Sequence, residues 1–120
     1  MSEFRIGAVE KRFAEIIWRS EPVPSGELVK ICESELGWKK STTYTMLRRL
    51  CQRGIFQNSN GVVTSLLSEA DFQTLRGEEF LNESFGGSLP KFIASFAERN
   101  KLSDREIEEL QELIGQMGGR

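Results

Sequence analysis

Asn60-Gly61 is the pair of residues that most constrains this chain. It lies between two β-prone runs, Ile55-Phe56-Gln57-Asn58-Ser59 and Val62-Val63-Thr64-Ser65-Leu66. A two-residue connection with positive φ at both positions suits Asn followed by Gly, and it joins antiparallel strands in a tight hairpin. The segments around the hairpin carry apolar residues at helical spacing. The sequence therefore predicts a mainly α fold with one small β-hairpin.

Three helices precede the hairpin. Ile6, Val9, Phe13, Ile16 and Ile17 define a first helix over roughly 7–19. Glu21-Pro22-Val23-Pro24 breaks it, because proline cannot continue a helix. Ser25 is the expected N-cap of a second helix carrying Leu28, Val29, Ile31, Cys32 and Leu36, with Gly37 as its C-cap. Ser41 is the expected N-cap of a third, on which Leu47, Leu50 and Cys51 share a face, and Gly54 ends it. Helix, helix, helix, hairpin within residues 1–67 is the order of a winged helix-turn-helix domain.

Residues 68–120 read as helical throughout. Ser68 with Asp71 opens a fourth helix that stops near Phe85-Gly86-Gly87. Ser88 caps a fifth, with Leu89, Phe92, Ile93 and Phe96 at i, i+3, i+4 and i+7. Ser103-Asp104-Arg105-Glu106 is a capping box for a sixth, striped by Ile107, Leu110, Leu113, Ile114 and Met117. The tail Gly118-Gly119-Arg120 is expected to fray. Phe92, Ile93, Phe96, Leu102, Ile107, Leu110 and Ile114 are more large apolar side chains than so short a segment buries alone. A two-fold partner bringing the same stripes covers them, giving a C-terminal helical dimerisation domain over 68–120 that includes Leu89 and Leu113. The alternative is that these helices fold back on the first half.

Charge divides at the same place. The chain has 16 Lys+Arg and 18 Asp+Glu, a net charge of −2. Residues 1–67 hold ten basic and seven acidic side chains, net +3, and residues 68–120 hold six and eleven, net −5. A mildly basic half can meet a polyanion, which an acidic half repels.

The third helix has the pattern of a reading head. On a wheel of ~100° per residue, Thr43, Tyr44, Leu47, Leu50 and Cys51 form the buried side. Thr42, Thr45, Arg49 and Gln52 form a continuous outer stripe with Arg48 at its edge, and Lys39, Lys40 and Ser41 stand at the start. Thr and Arg contact base edges in a major groove, while Lys39, Lys40 and the helix N-terminal amides hold phosphates. Tyr44 adds a phosphate contact or simply packs. The competing reading is an ordinary solvated face, with Arg49 paired to Glu10 or Glu15. Ile55–Ser65 contains no Lys or Arg, so the hairpin is expected to add little to phosphate binding.

Composition excludes most chemistry. The chain has no His, the commonest general base and metal ligand, and two Cys, too few for a zinc site or a disulfide scaffold. The carboxylate runs Glu78-Glu79 and Glu106–Glu109 read as solvated helix faces, so no catalytic or metal site and no small-molecule cofactor is expected. The opening residues lack the apolar core of a signal peptide, and no apolar run approaches the ~20 residues of a membrane span. A cytoplasmic, non-enzymatic protein is the expectation.

Several stretches match a known pattern. Glu10 through Ile16-Ile17-Trp18 matches a first-helix ending. Trp38-Lys39-Lys40-Ser41-Thr42, Thr45, Arg49-Leu50 and Gly54 match a recognition helix. Phe85-Gly86-Gly87-Ser88-Leu89, Ser95-Phe96, and Leu102-Ser103 through Glu106-Ile107-Glu108-Glu109-Leu110 match a C-terminal run. Together these resemble the penicillinase and methicillin-resistance repressor family, which includes copper-responsive repressors. The resemblance spans nearly the full chain. It implies a homodimeric repressor on a palindromic double-stranded DNA operator, with Thr42, Thr45, Arg48 and Arg49 approaching bases and the last two helices intertwined with a second subunit. It also implies a membrane sensor-protease as partner: members of the β-lactamase type are released when a signalling protease cuts the dimerisation domain between an Asn and a Phe. The matching stretch here is Ser95-Phe96, with Ser in place of the Asn. The copper branch carries a C-terminal cysteine cluster, whereas Cys32 and Cys51 lie elsewhere and read as core. A second function class, a dimerising protein-interaction module whose winged helix no longer reads DNA, is suggested by the uncharged hairpin and a pI near 5.3.

Overall fold

The structure, a computed structural model, describes residues 5–118. Gly119 and Arg120, in the tail expected to fray, lie outside them. The described elements are α1 (Ala8–Ser20), β1 (Val23–Pro24), α2 (Ser25–Leu36), α3 (Lys40–Gln52), β2 (Phe56–Ser59), β3 (Val62–Ser65), α4 (Glu69–Phe85), α5 (Leu89–Arg99) and α6 (Asp104–Gly118). The mainly helical fold with a hairpin wing agrees with the sequence reading.

The chain forms two compact units that meet between Glu79 and Phe80, inside α4. The change in charge near residue 67 is not where the contacts divide. Phe72 is the reason: it is buried against the first unit, with its ring 5.5 Å from that of Trp18. The opening turns of α4 therefore belong to the N-terminal core.

In the first unit α1 buries Phe13, Ala14, Ile16 and Ile17. Its start is held by Glu10, whose carboxylate accepts from the Gly7 N–H at 2.9 Å. Leu28 and Cys32 from α2, Leu47 and Leu50 from α3, and Ile55, Phe56 and Val63 from the hairpin complete the core. Each such aliphatic or aromatic side chain stabilises the fold by about 1.5–3 kcal/mol through removal from water. Trp18 is fixed by its indole N–H, which donates to the Leu67 carbonyl at 2.9 Å, and by the Phe56 ring 5.3 Å away.

The hairpin forms as Asn60-Gly61 dictates. Both residues have positive φ, 52° and 81°, and β2 pairs with β3 in the register Phe56↔Ser65 through Ser59↔Val62. A third strand was not anticipated. Pro22-Val23-Pro24 reads in sequence as a helix breaker alone, yet Val23 and Pro24 pair with Val63 and Val62, giving the order β1-β3-β2. Proline is tolerated because β1 is an edge strand. Glu21 locks this corner: its carboxylate accepts from the Ser65 N–H at 2.7 Å and from the Ser65 hydroxyl.

Two expected caps are corrected. Pro24, not Ser25, is the N-cap of α2, and Lys39, not Ser41, is the N-cap of α3. Ser25 is drawn away by longer-range bonds: its hydroxyl accepts from Tyr44 Oη at 3.1 Å, and its N–H donates to the Gly61 carbonyl at 2.8 Å. Ser68, Ser88 and Ser103 do cap their helices, donated to by the N–H groups of Asp71, Lys91 and Glu106.

In the second unit the rings of Phe80, Phe85, Phe92 and Phe96 contact one another at centroid distances of 5.3–6.0 Å. Neither α5 nor α6 buries a residue. Leu89, Phe96, Ile107, Leu113, Ile114 and Met117 remain exposed.

Candidate nucleic-acid interface

A tight turn sets α3 against α2. Gly37 adopts φ 68°, left-handed backbone that favours glycine, and its N–H donates to the Glu33 carbonyl while the Trp38 N–H reaches the Cys32 carbonyl. Trp38 then packs its ring 5.2 Å from Phe13. Three residues, Gly37 to Lys39, thus connect the helices, as in a helix-turn-helix.

The sequence wheel places the faces of α3 correctly. Thr43, Leu47 and Leu50 are buried, and Tyr44 and Cys51 are half-buried. Lys39, Lys40, Ser41, Thr42, Thr45, Arg48, Arg49 and Gln52 are all exposed. No side chain caps the start of α3, so its first-turn amides stay open beside Lys39 and Lys40. Open amides at a helix N-terminus, with two ammonium groups, suit a phosphate.

The two arginines diverge. Arg49 reaches toward α1, its guanidinium 3.9 Å from the Glu10 carboxylate. The Arg49 side chain is 57% exposed, so this pair contributes well under 1 kcal/mol and does not tie the guanidinium down. Arg48 instead lines a cavity of about 230 Å³ with Tyr44, Leu47, Cys51 and Asn58, between α3 and β2. Sequence periodicity grouped the two side by side; their separation depends on what α1 and β2 place on each flank. Tyr44, for which a phosphate contact was one option, donates its hydroxyl to Ser25 instead.

The wing offers Gln57, Asn58, Ser59, Asn60 and Gly61 to solvent. Gln57 is engaged with the Thr64 hydroxyl at 3.1 Å. The cysteines are free thiols. Burial pushes Cys32 up, partly offset by the Thr43 hydroxyl beside it, with Glu35 raising it further. Burial also raises Cys51. Neither is poised as a thiolate nucleophile or ligand. Among the described residues no group of three or more Cys, Asp or Glu side chains could hold a metal ion, and no helix is long and apolar enough to cross a membrane.

The residues assigned to dimerisation lie on α5, on α6 and in the connection between them. Phe92, Ile93, Phe96, Leu102 and Leu110 surround a cavity of about 210 Å³, and Leu89, Ile107, Leu113 and Ile114 lie exposed. Ser95 and Phe96 are exposed in the interior of α5.

A helix-turn-helix followed by a hairpin whose central strand is shared with a short third strand defines the winged-helix class. Comparison with known proteins narrows it further. The penicillinase repressor family profile matches residues 6–116, and the chain belongs to that family. It is 27% identical to the penicillinase repressor of Bacillus licheniformis over 114 residues, covering 92% of this chain and 89% of that protein. It is 25% identical to the methicillin resistance regulatory protein MecI of Staphylococcus aureus strain Mu50, covering 92% and 94%. The penicillinase repressor of Staphylococcus aureus is also 25% identical, with 93% and 92% covered.

Proposed function

We propose that this chain is a cytoplasmic homodimeric transcriptional repressor that binds a palindromic operator in duplex DNA through α3. Membership of a repressor family supports the first half of that statement. The observation that carries the second is the unbroken exposed stripe Thr42, Thr45, Arg49 and Gln52, set on a helix whose opposite face is core. Lys39, Lys40, Ser41 and the open amides of α3 take the phosphates that fix register. Thr42, Thr45, Arg48, Arg49 and Gln52 face the groove, where an arginine paired with guanine is the strongest base contact available. The wing contributes polar side chains and no cation.

The unburied apolar faces of α5 and α6 support a two-fold partner contributing the same faces. Two reading heads joined in this way gain effective concentration on a two-half-site operator. A sensor-protease that cut at Ser95-Phe96 would have to open α5 first, since a helical backbone does not fit a cleavage site.

Fluorescence anisotropy against duplex from the protein's own upstream region, over a salt series, tests the proposal. Specific binding at least a thousandfold tighter than to random duplex is expected. Equal affinity for both duplexes contradicts it. That outcome favours the second reading, a protein-interaction module, for which the absence of Lys and Arg from the wing is the supporting observation.

A further inference from the structure

We infer that the cleft between α1 and the first turns of α4 is a binding site for a small aromatic monocarboxylate. The cleft has a volume of about 110 Å³ and is lined by Lys11, Trp18, Glu69, Phe72, Gln73 and Arg76. Two faces meet there. Lys11 and Trp18 are two turns apart on α1, and Glu69, Phe72, Gln73 and Arg76 follow one another at i, i+3, i+4 and i+7 on α4. All six lie within the N-terminal unit.

The chemistry of the lining is mixed in a specific way. Trp18 forms the apolar wall, and the nearly buried Phe72 backs it from behind, its ring tilted by 49° to that of Trp18 at 5.5 Å. The Trp18 N–H is committed to Leu67, so the indole offers ring surface and no donor. Aromatic rings in such a setting favour a planar apolar guest in edge or offset contact. At the rim stand two cations, and among the described residues neither Lys11 nor Arg76 forms an ion pair. Arg76 instead lies over the Phe72 ring, 6.0 Å from its centroid. An ammonium and a guanidinium beside an apolar floor match a carboxylate attached to a ring, through charge-assisted hydrogen bonds. Gln73 adds an amide donor. Glu69 supplies the selectivity: its carboxylate opposes a second negative charge, so a monoanion fits better than a dianion. The volume admits one ring, which restricts the ligand to fragment size.

The position gives such a ligand a consequence. It bridges α1, whose Glu10 approaches Arg49 of the recognition helix, to α4, the helix that carries the chain out of the N-terminal unit. A guest bound there stabilises the docking of the first turns of α4.

Benzoate is the probe. Titrated into the full-length protein and followed by two-dimensional proton–nitrogen NMR, it is expected to give saturable shifts at Lys11, Gln73, Arg76 and the Trp18 indole N–H. A Kd in the low-millimolar range suits so small a ligand. Benzamide, the same shape without the charge, should bind at least fivefold more weakly. Lys11→Gln with Arg76→Gln should erase that preference for benzoate, and Glu69→Gln should tighten benzoate at least twofold. Equal binding of benzoate and benzamide, saturable shifts centred elsewhere, or no saturable shift at all would each overturn the inference. The benzamide comparison is made on the unaltered protein, so it decides even if a variant fails to fold.

Discussion

The two units differ in how completely each encloses its own apolar side chains. Among the described residues the first buries thirteen apolar side chains, from Phe13 to Phe72, and several of them are wholly inaccessible. The second buries none on α5 or α6, although both helices carry apolar stripes as regular as that of α1. The difference lies in what faces each stripe. In the first unit α1, α2, α3 and the sheet approach from several sides, so a stripe on one element meets one on another. In the second, two helices and the end of a third have too few surfaces to cover what they display. An amphipathic helix specifies which face wants cover, and the count of neighbouring elements decides whether the chain supplies it.

The sharpest way to break this comparison is a core truncation. Phe13→Ala should destabilise the first unit by about 3–5 kcal/mol, through lost burial and the cavity left behind. Chemical denaturation followed by circular dichroism should show that loss while the proposed self-association through the second unit persists. If sedimentation finds the dimer lost as well, the two units do not stand apart energetically. The converse is Phe96→Asp, which places a charge on the exposed apolar face of α5. Burying it at an interface costs several kcal/mol, so the dimer constant should weaken at least a hundredfold by analytical ultracentrifugation. An unchanged constant would remove Phe96 from the interface.

Smaller effects separate roles within α3. Arg49→Ala should lower specific DNA affinity about tenfold or more with little change on random duplex, as loss of a base contact does. Lys39→Ala should weaken both alike and flatten the salt slope by about one unit. Identical responses from the two variants would contradict the division between base and phosphate contacts. The smallest effect concerns Cys51. Its raised pKa means less thiolate at any given pH, so alkylation near pH 7.5 should run slower than for free cysteine and recover as the pH rises.

Much of this molecule was legible in its sequence, for reasons that vary by element. The hairpin was readable because Asn60-Gly61 demands a backbone that few other pairs adopt. The faces of α3 followed from periodicity, and the caps at Ser68, Ser88 and Ser103 from local hydrogen-bonding chemistry. What escaped depends on distant partners. β1 exists only because β3 lies beside it, and two prolines concealed a strand of two residues. Ser25 has the chemistry of a cap but is claimed by Tyr44 and Gly61. The unit boundary eluded the charge count because Phe72 is an apolar residue within an acidic half. In the site, exposure of the α3 stripe was readable, and the pairing of Arg49 with Glu10 was one of two options. The neighbours that draw Arg48 and Arg49 apart were not. The cleft lined by Lys11 and Arg76 joins residues 65 positions apart and leaves no local trace.

The placement of Trp18 has a practical consequence. The chain holds two tryptophans and one tyrosine, Trp18, Trp38 and Tyr44, and all three belong to the first unit. The second unit has phenylalanine as its aromatic residue and is dark to excitation at 295 nm. Emission therefore watches the first unit melt, while far-ultraviolet dichroism, dominated by helices, watches both units. Because Trp18 touches Phe72 as well as Phe56, its emission also reports when α4 lets go of the core. A gap between the two melting curves would measure, on the unaltered chain, how independently the two units unfold.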